Sequence, residues 1–529
     1  MTIVCTILFF AALSFVLVAY HSSFQIAWMY EFSSYADIAR NLSKNHTLTT
    51  NFVTPMDLAF LEEKGLSKPP WPMTHRFPLF PVLLAFVFSI FGASDATVVW
   101  TNGIVFAVFV VSIYLLGRLI FPKPWYVSLI ASIVTAINPV FWLYFVLFGY
   151  ASDFLFGILL FLQFGILSLI LSKPEKIRPK HFAYLGILGF LIYLSRYNFV
   201  LFLPAIVWTI LLQKFPQKKL SLFWYLGAFL GLTVPFAIYW HIKGGGSQYI
   251  SLIANLAHLS QSSSRPWLDY RTLSLKDLVL DYHWAILRKG FYFLVPQLIR
   301  LLIQFGNFLV VPFTICGLCF GFRSPETSQG KKIFAQLYLT ALLIHVMFFV
   351  FLRVEAFERY LLWLTPFTLL VGIEYFFVFV QKNMPRVRSV IYCTGAFLLL
   401  SWFLYQSLGG LKSVYRSEWA SESPKHLEWT ILEEMIPPNS LVVSNVGVHL
   451  AWYIQRPCID LPNTMEDLKK ILNRYSVRFV YIADFRGGEL VTRPYWHNYV
   501  RTPWGRKEFS KEISAISEYQ FRDSTLWSR

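Results

Sequence analysis

The chain has 529 residues, 56% of them hydrophobic and 14% charged, with a mean hydropathy of +0.52. A soluble protein cannot hide that much apolar surface, so the composition defines a polytopic membrane protein. The net charge of +17 does not point to nucleic acid, because most of the cations fall in short loops between apolar segments, the positive-inside pattern.

Residues 3–20 form the first span. It lacks a basic n-region and a small-residue cleavage site, which predicts a retained anchor rather than a signal peptide. Next comes Trp28–Leu48, where Ser34 and Asp37 have capping-box spacing. Tyr35, Ile38, Ala39 and Leu42 then share one face, with Asp37, Arg40, Asn41 and Lys44 opposite, the pattern of a helix lying on a membrane surface. Glu31 stands just before it, where membrane gives way to water; its carboxylate is either a helix-terminus charge or a catalytic group.

The apolar run 78–92 opens with Pro78 and Pro81 and is shorter than the roughly twenty residues a crossing needs. Parity decides its role. If it does not cross, spans at 97–119, 125–148, 153–172, 182–196, 197–213, 220–241, 294–321, 333–352, 359–381 and 388–408 place the basic loops at Arg118/Lys123, 173–181, 214–219, 321–332 and 382–388 on one side, the cytoplasm. The expected fold is therefore a polytopic α-helical membrane protein of about eleven spans, with 78–92 as a second surface helix. Residues 182–213 must then make a hairpin of two segments of about fifteen residues; a single tilted span there would flip everything after it.

The loop 22–96, the turn before Asp153, the loop 242–293 and everything after about residue 409 then lie outside. Cys316 and Cys319 read as C-x-x-C, but inside an apolar span, and five cysteines give no disulfide framework. Residues 410–529 turn polar and mixed: Leu441–Val446 and Arg478–Ala483 read as strands around a helix at Met465–Tyr475, an outer α/β domain following a polar linker near Ser407–Gly410. The division expected is 1–409, a transmembrane domain including the outer loop 22–96, and 410–529. No P-loop or dinucleotide glycine motif is present.

The order of features resembles the GT-C superfamily of integral membrane glycosyltransferases, and within it the protein O-mannosyltransferase and aminoarabinose-transferase branch. The residues that carry the likeness are Glu31 with Tyr35-Ala36-Asp37-Ile38-Ala39-Arg40, the Pro78–Gly92 segment, Gly117-Arg118-Leu119-Ile120-Phe121, Ser152-Asp153, and Arg359-Tyr360 through Pro366. The resemblance implies transfer of a sugar, with inversion, from a polyprenyl phosphate to an acceptor hydroxyl on a lipid, glycan or protein at the outer face. It implies a membrane-lipid environment, no nucleic acid, and no certain cofactor, with a divalent metal open.

Such chemistry needs a carboxylate to take the acceptor's proton, worth typically 10²–10⁴-fold. It also needs cations on the departing phosphate. By the resemblance Glu31 holds the position of the catalytic acid, where the family usually has aspartate. Asp153 is a second acid entering a span from outside, costly unless paired or functional. Arg76 is the better phosphate contact of the His75-Arg76 pair, since a guanidinium grips two oxygens; His75 is an acceptor or metal contact or merely structural. Arg196, at the hairpin tip, needs an anionic partner, for which the lipid phosphate is a candidate. Arg353, Arg359 and Tyr360 flank a later outer turn with Glu355 and Glu358.

Other classes stay in view. A transporter or flippase predicts ionisable groups near the bilayer midplane and interrupted helices in matched halves, whereas the charges here sit at span ends. A non-catalytic receptor or scaffold would make the outer acids dispensable, and a surface-polysaccharide polymerase or ligase would not need the early surface helices. A bacterial cytoplasmic membrane with a periplasmic active site is the location expected.

Overall fold

The computed structural model describes the chain apart from residues 24–29, 74–75, 123, 139–140, 142–150, 174, 176, 246–267, 271–309, 320–327, 346–362, 417–425, 484–495, 497–498, 500–501 and 522–523. The described elements begin with α1 (Thr2–Ser23), α2 (Tyr30–Asn45), β1 (Thr49–Thr50), β2 (Phe52–Val53), α3 (Pro55–Glu63), β3 (Trp71–Pro72), α4 (Leu79–Phe91) and α5 (Asp95–Ile120). Then come α6 (Tyr126–Ile137), α7 (Ala151–Leu171), α8 (Pro179–Ser195), a 3-10 turn (Tyr197–Phe202), α9 (Leu203–Leu212), α10 (Lys218–Ile242), α11 (Val310–Cys319), α12 (Gln329–His345), α13 (Leu364–Asn383) and α14 (Arg388–Arg416). The last part holds α15 (His426–Met435), β4 (Leu441–Ser444), α16 (Gly447–Tyr453), β5 (Cys458–Asp460), α17 (Met465–Arg474), β6 (Val477–Ala483), α18 (Pro503–Glu512), β7 (Ser517–Gln520) and β8 (Ser524–Ser528).

These elements form two units. One comprises Met1–His21, Val99–Ile238 and Ile286–Leu411; the other comprises Ser22–Val98, Tyr239–Ala285 and Lys412–Arg529. The helical unit is built from apolar segments, and five described helices, α5, α7, α10, α13 and the Arg388–Gly409 part of α14, are long and apolar enough to cross a membrane. Its core is aromatic. Phe367 packs against Phe161, Phe164, Phe334 and Trp363, while Phe202 meets Phe156 at a tilt and Trp363 edge-on.

α7 and α8 run antiparallel. At one end Ser195 Oγ donates to Ser152 O (3.2 Å), and near the middle Gln163 Nε2 donates to Leu185 O (3.1 Å) and Tyr225 OH (3.2 Å). Gly186 lets α8 meet α10 closely: a Cβ there would lie 2.4 Å from Tyr225 O, so glycine is required for this backbone approach. At Arg196 the backbone becomes extended (φ −156°, ψ 132°), and Phe199 folds back against Gly189. The turn expected between 182–196 and 197–213 is thus seen, with Arg196 at its tip. Of the span expected at 125–148, α6 covers 126–137 and ends where Asn138 turns extended.

The second unit differs from the division read in the sequence. The outer loop groups with the C-terminal segment, not with the spans, and two interactions explain why. β2 pairs in parallel with β5, Phe52 opposite Cys458, making it the edge of a six-stranded sheet of order β2-β5-β4-β6-β8-β7. β5, β4 and β6 are parallel, whereas β8 and β7 run antiparallel to their neighbours. All four residues of β4 are buried, as a central parallel strand covered on both faces requires. α17 starts at the N-cap Thr464, whose hydroxyl accepts from Asp467 N, and turns Leu468, Ile471 and Leu472 into the core. The second interaction is α2 against α16.

Two further expectations are corrected. α2 begins at Tyr30, so Ser34 and Asp37 lie inside it and do not cap it. Its polar face does not meet water either: Asp37, Arg40 and Asn41 are buried along with Tyr35, Ile38 and Ala39. Helical amphipathicity fixed the faces correctly, but the second face is covered by protein. The linker placed at Ser407–Gly410 is helical, because α14 continues through Arg416. α4 has 13 residues, too few to cross, as the prolines and length implied.

Candidate active site

In the second unit α2 is the scaffold. Arg76, buried, donates from Nε to Ser34 Oγ (3.2 Å), and its guanidinium lies 5.1 Å over the Tyr35 ring, which in turn meets Phe80 of α4 edge-on at 5.2 Å. Glu31 precedes Ser34 and Tyr35 by three and four residues on the same helix. Residues so spaced are neighbours on a helix surface. The backbone therefore places Glu31 one turn along from the two residues that hold Arg76.

α2 is itself clamped. Asp37 accepts from Arg40 Nη2 (2.6 Å), Thr50 Oγ1 (2.9 Å), Asn51 N (2.7 Å) and Asn51 Nδ2 (3.0 Å). Arg40 also donates to Trp452 O (2.5 Å) and Ala451 O (2.8 Å), carbonyls in the last turn of α16, and lies 4.9 Å over the Trp452 ring. A cation at a helix C-terminus complements its dipole. Burial pulls the Arg40 pKa down while Asp37 opposes the shift; the guanidinium keeps its charge regardless. Ser33 Oγ and His449 Nδ1 share a hydrogen bond of 3.0 Å, and burial lowers His449 to about 3, so its ring is neutral near pH 7. Trp452 Nε1 and Tyr453 OH both donate to Asp95 (2.8 and 3.1 Å). Asp37, read as a capping group, is thus the centre of this clamp.

In the helical unit Asp153, in the first turn of α7, and Arg196, at the C-terminal end of α8, form an ion pair, each side chain about a tenth exposed (10% and 12%). Each charge also sits at the helix end whose dipole favours it. Asp153 is thus an anionic partner for Arg196 in this structure, and Arg196 a cationic one for Asp153. Beside them Asn198 is buried, with no hydrogen-bond partner for its Oδ1 among the described residues.

The remaining candidates, His75, Arg353, Arg359 and Tyr360, lie outside the described residues, as does the Glu355/Glu358 turn. Among the described residues no group of three or more His, Cys, Asp and Glu is placed to hold a metal ion. Sequence reasoning missed Ser33, Asp95, His449 and Trp452. Their partners lie hundreds of positions away, and no local pattern announces them.

One chain thus joins a helical unit rich in apolar segments to a unit built from the first loop and a C-terminal mixed sheet, and this fold has a solved counterpart. It is shared with the crystal structure of ArnT from Cupriavidus metallidurans bound to undecaprenyl phosphate, with a TM-score of 0.57, 11% sequence identity, and coverage of 99% of this chain and 97% of that one. Residues 68–240 match the profile of the dolichyl-phosphate-mannose-protein mannosyltransferase family, a stretch that includes Arg76, Asp153 and Arg196 but not Glu31. No curated protein sequence matches the chain. The chain is thus similar over about a third of its length to the mannosyltransferase family and similar in fold to ArnT, and its apolar helices are those of an integral membrane protein.

Proposed function

We propose that this protein is an inverting glycosyltransferase that moves a sugar from a polyprenyl phosphate to a hydroxyl of a lipid, glycan or protein acceptor at the outer face of a bacterial cytoplasmic membrane. The observation that carries the reading is the register of α2, with Glu31 one turn from the residues that hold the buried Arg76. In this reading the Glu31 carboxylate takes the proton from the acceptor hydroxyl as that oxygen bonds to the anomeric carbon. The bond from that carbon to the phosphate oxygen breaks, and Arg76 holds the charge left on polyprenyl phosphate. A guanidinium suits this because it offers two parallel donors to two oxygens. One such electrostatic contact is worth about 3 kcal/mol of barrier.

Asp153 and Arg196 neutralise each other, and we read their first duty as ordering the turn between α8 and α9. A neighbour crystallised with undecaprenyl phosphate agrees with a lipid-linked donor. The test is to incubate the purified protein with a panel of polyprenyl-phosphate sugars and follow polyprenyl phosphate release. Glu31→Gln is expected to abolish turnover with donor binding retained. Full activity of Glu31→Gln would remove the base assignment; no release with any donor and acceptor would remove the transferase reading.

A further inference from the structure

The helical unit contains an apolar cavity of about 140 Å³ between α6, α11, α13 and α14. Val310, Phe313, Gly372, Phe376, Gly395 and Leu399 are among its walls, and no charged residue lines it. Two glycines in its walls let the helices approach closely beside it: a Cβ on Gly395 would stand 3.0 Å from Phe376 Cζ, and one on Gly372 2.5 Å from Thr314 Oγ1. Phe313 meets Phe376 at 5.1 Å in its wall, and Tyr392 donates to Phe377 O (2.8 Å), tying α14 to α13. An apolar cavity of this size stays dry and accepts a hydrocarbon of about six carbons.

Its position within the unit is informative. α7 runs from Asp153 at one end to Ser172, which packs by Gly330, at the other, about 28 Å away at 1.5 Å per residue. Lys331, next to Gly330, pairs with Glu374, two residues before Phe376. The cavity therefore lies toward the end opposite the Asp153–Arg196 pair. On α14 the adjoining side chains Val390, Phe397 and Leu398 are 68%, 69% and 56% exposed, so this wall faces the hydrocarbon of the bilayer. Beyond the cavity the α13–α14 turn carries Lys382, Arg386 and Arg388, all exposed. Six residues separate Phe376 from Lys382 and seven separate Arg388 from Gly395, about 9 and 10 Å along the helices. That is the separation between a lipid's headgroup region and the upper part of its chain.

We propose that this cavity holds an acyl chain of an anionic glycerophospholipid, with its headgroup on Lys382, Arg386 and Arg388. Lipid tails are as apolar as the cavity wall, so the chain alone gives no selectivity over other lipids. The basic turn supplies it, at about five-fold per cation near an anionic surface. This lipid is a component of the bilayer, not the sugar donor, and the proposal does not depend on the transferase reading.

The test uses the delipidated full chain in detergent, offered phosphatidylglycerol or phosphatidylcholine with identical chains, with retention read by native mass spectrometry. Phosphatidylglycerol is expected to be retained about 100-fold more strongly. Arg386→Gln with Arg388→Gln, both on the surface, is expected to reduce that preference about 25-fold, leaving sugar transfer unchanged. Gly395→Leu, which fills the cavity, is expected to remove retention of the lipid. Equal retention of the two lipids, or an undiminished preference in the double variant, overturns the proposal. So does displacement of phosphatidylglycerol by polyprenyl phosphate, which would give the cavity to the donor's tail.

Discussion

Asp37→Ala removes the one acceptor shared by Arg40, Thr50 and Asn51. Arg40 would remain buried, satisfied only by two carbonyls and the face of Trp452. Breaking a buried pair by deleting one partner costs about 3–5 kcal/mol, because the other charge cannot leave. In a body of this size each kcal/mol moves the melting temperature by about 2–4 °C, so the unit should open about 6–20 °C earlier. Cys458 is a suitable reporter: it is fully buried on β5, and burial raises its thiol pKa well above the usual range, so it reacts only on opening. With Cys5, Cys316, Cys319 and Cys393 replaced by alanine, thiol labelling against temperature reads this unit alone. The double variant Asp37→Leu with Arg40→Met removes both charges and should regain more than half of the loss. Opening of Asp37→Ala within 2 °C of the parent, or a double variant as weak as the single, would refute the clamp.

Arg76→Ala should weaken donor binding, seen as a smaller thermal shift with lipid-linked sugar, and Arg76→Lys should restore little of it, because a point charge cannot grip two oxygens. Arg196→Ala leaves Asp153 buried without its partner and should lower the stability of the helical unit, whereas Asp153→Asn with Arg196→Met should be milder; circular-dichroism melts distinguish the two. His449 is held neutral by burial, its pKa falling from 6.5 to about 3. Between those values the unfolded chain binds the extra proton, so stability should be full above pH 6.5 and fall as the pH drops towards 3, by up to about 1.4 kcal/mol per unit. His449→Asn should flatten that slope in Cys458 labelling runs between pH 7 and 4.

Features determined by near neighbours were legible in the sequence. The short α4 followed from two prolines and too few apolar residues, and the helix read at Met465–Tyr475 is found at Met465–Arg474. The turn at Arg196 was one of two readings of 182–213, the other being a single tilted span. What was hidden depends on distant pairing. Arg196 and Asp153 were each recognised as charges in need of a partner, yet nothing in their local surroundings says that they satisfy one another. α2 was read as half solvated because periodicity reports faces, not what covers them. β2 has only two residues, too few for any strand pattern, and it exists because β5 is there to pair with it.

That edge strand has a consequence for biogenesis. Phe52 cannot find its partner Cys458 until about 400 more residues have been made, which at 5–20 residues per second takes about 20–80 s. Throughout that interval the first loop stands on its side of the membrane without the Ala451 and Trp452 carbonyls for Arg40 and without a strand beside the β2 edge, an open invitation to wrong partners and proteases. A stretch made some 400 residues later is the one that locks the first loop, and truncation before β5 should therefore leave that loop vulnerable to cleavage.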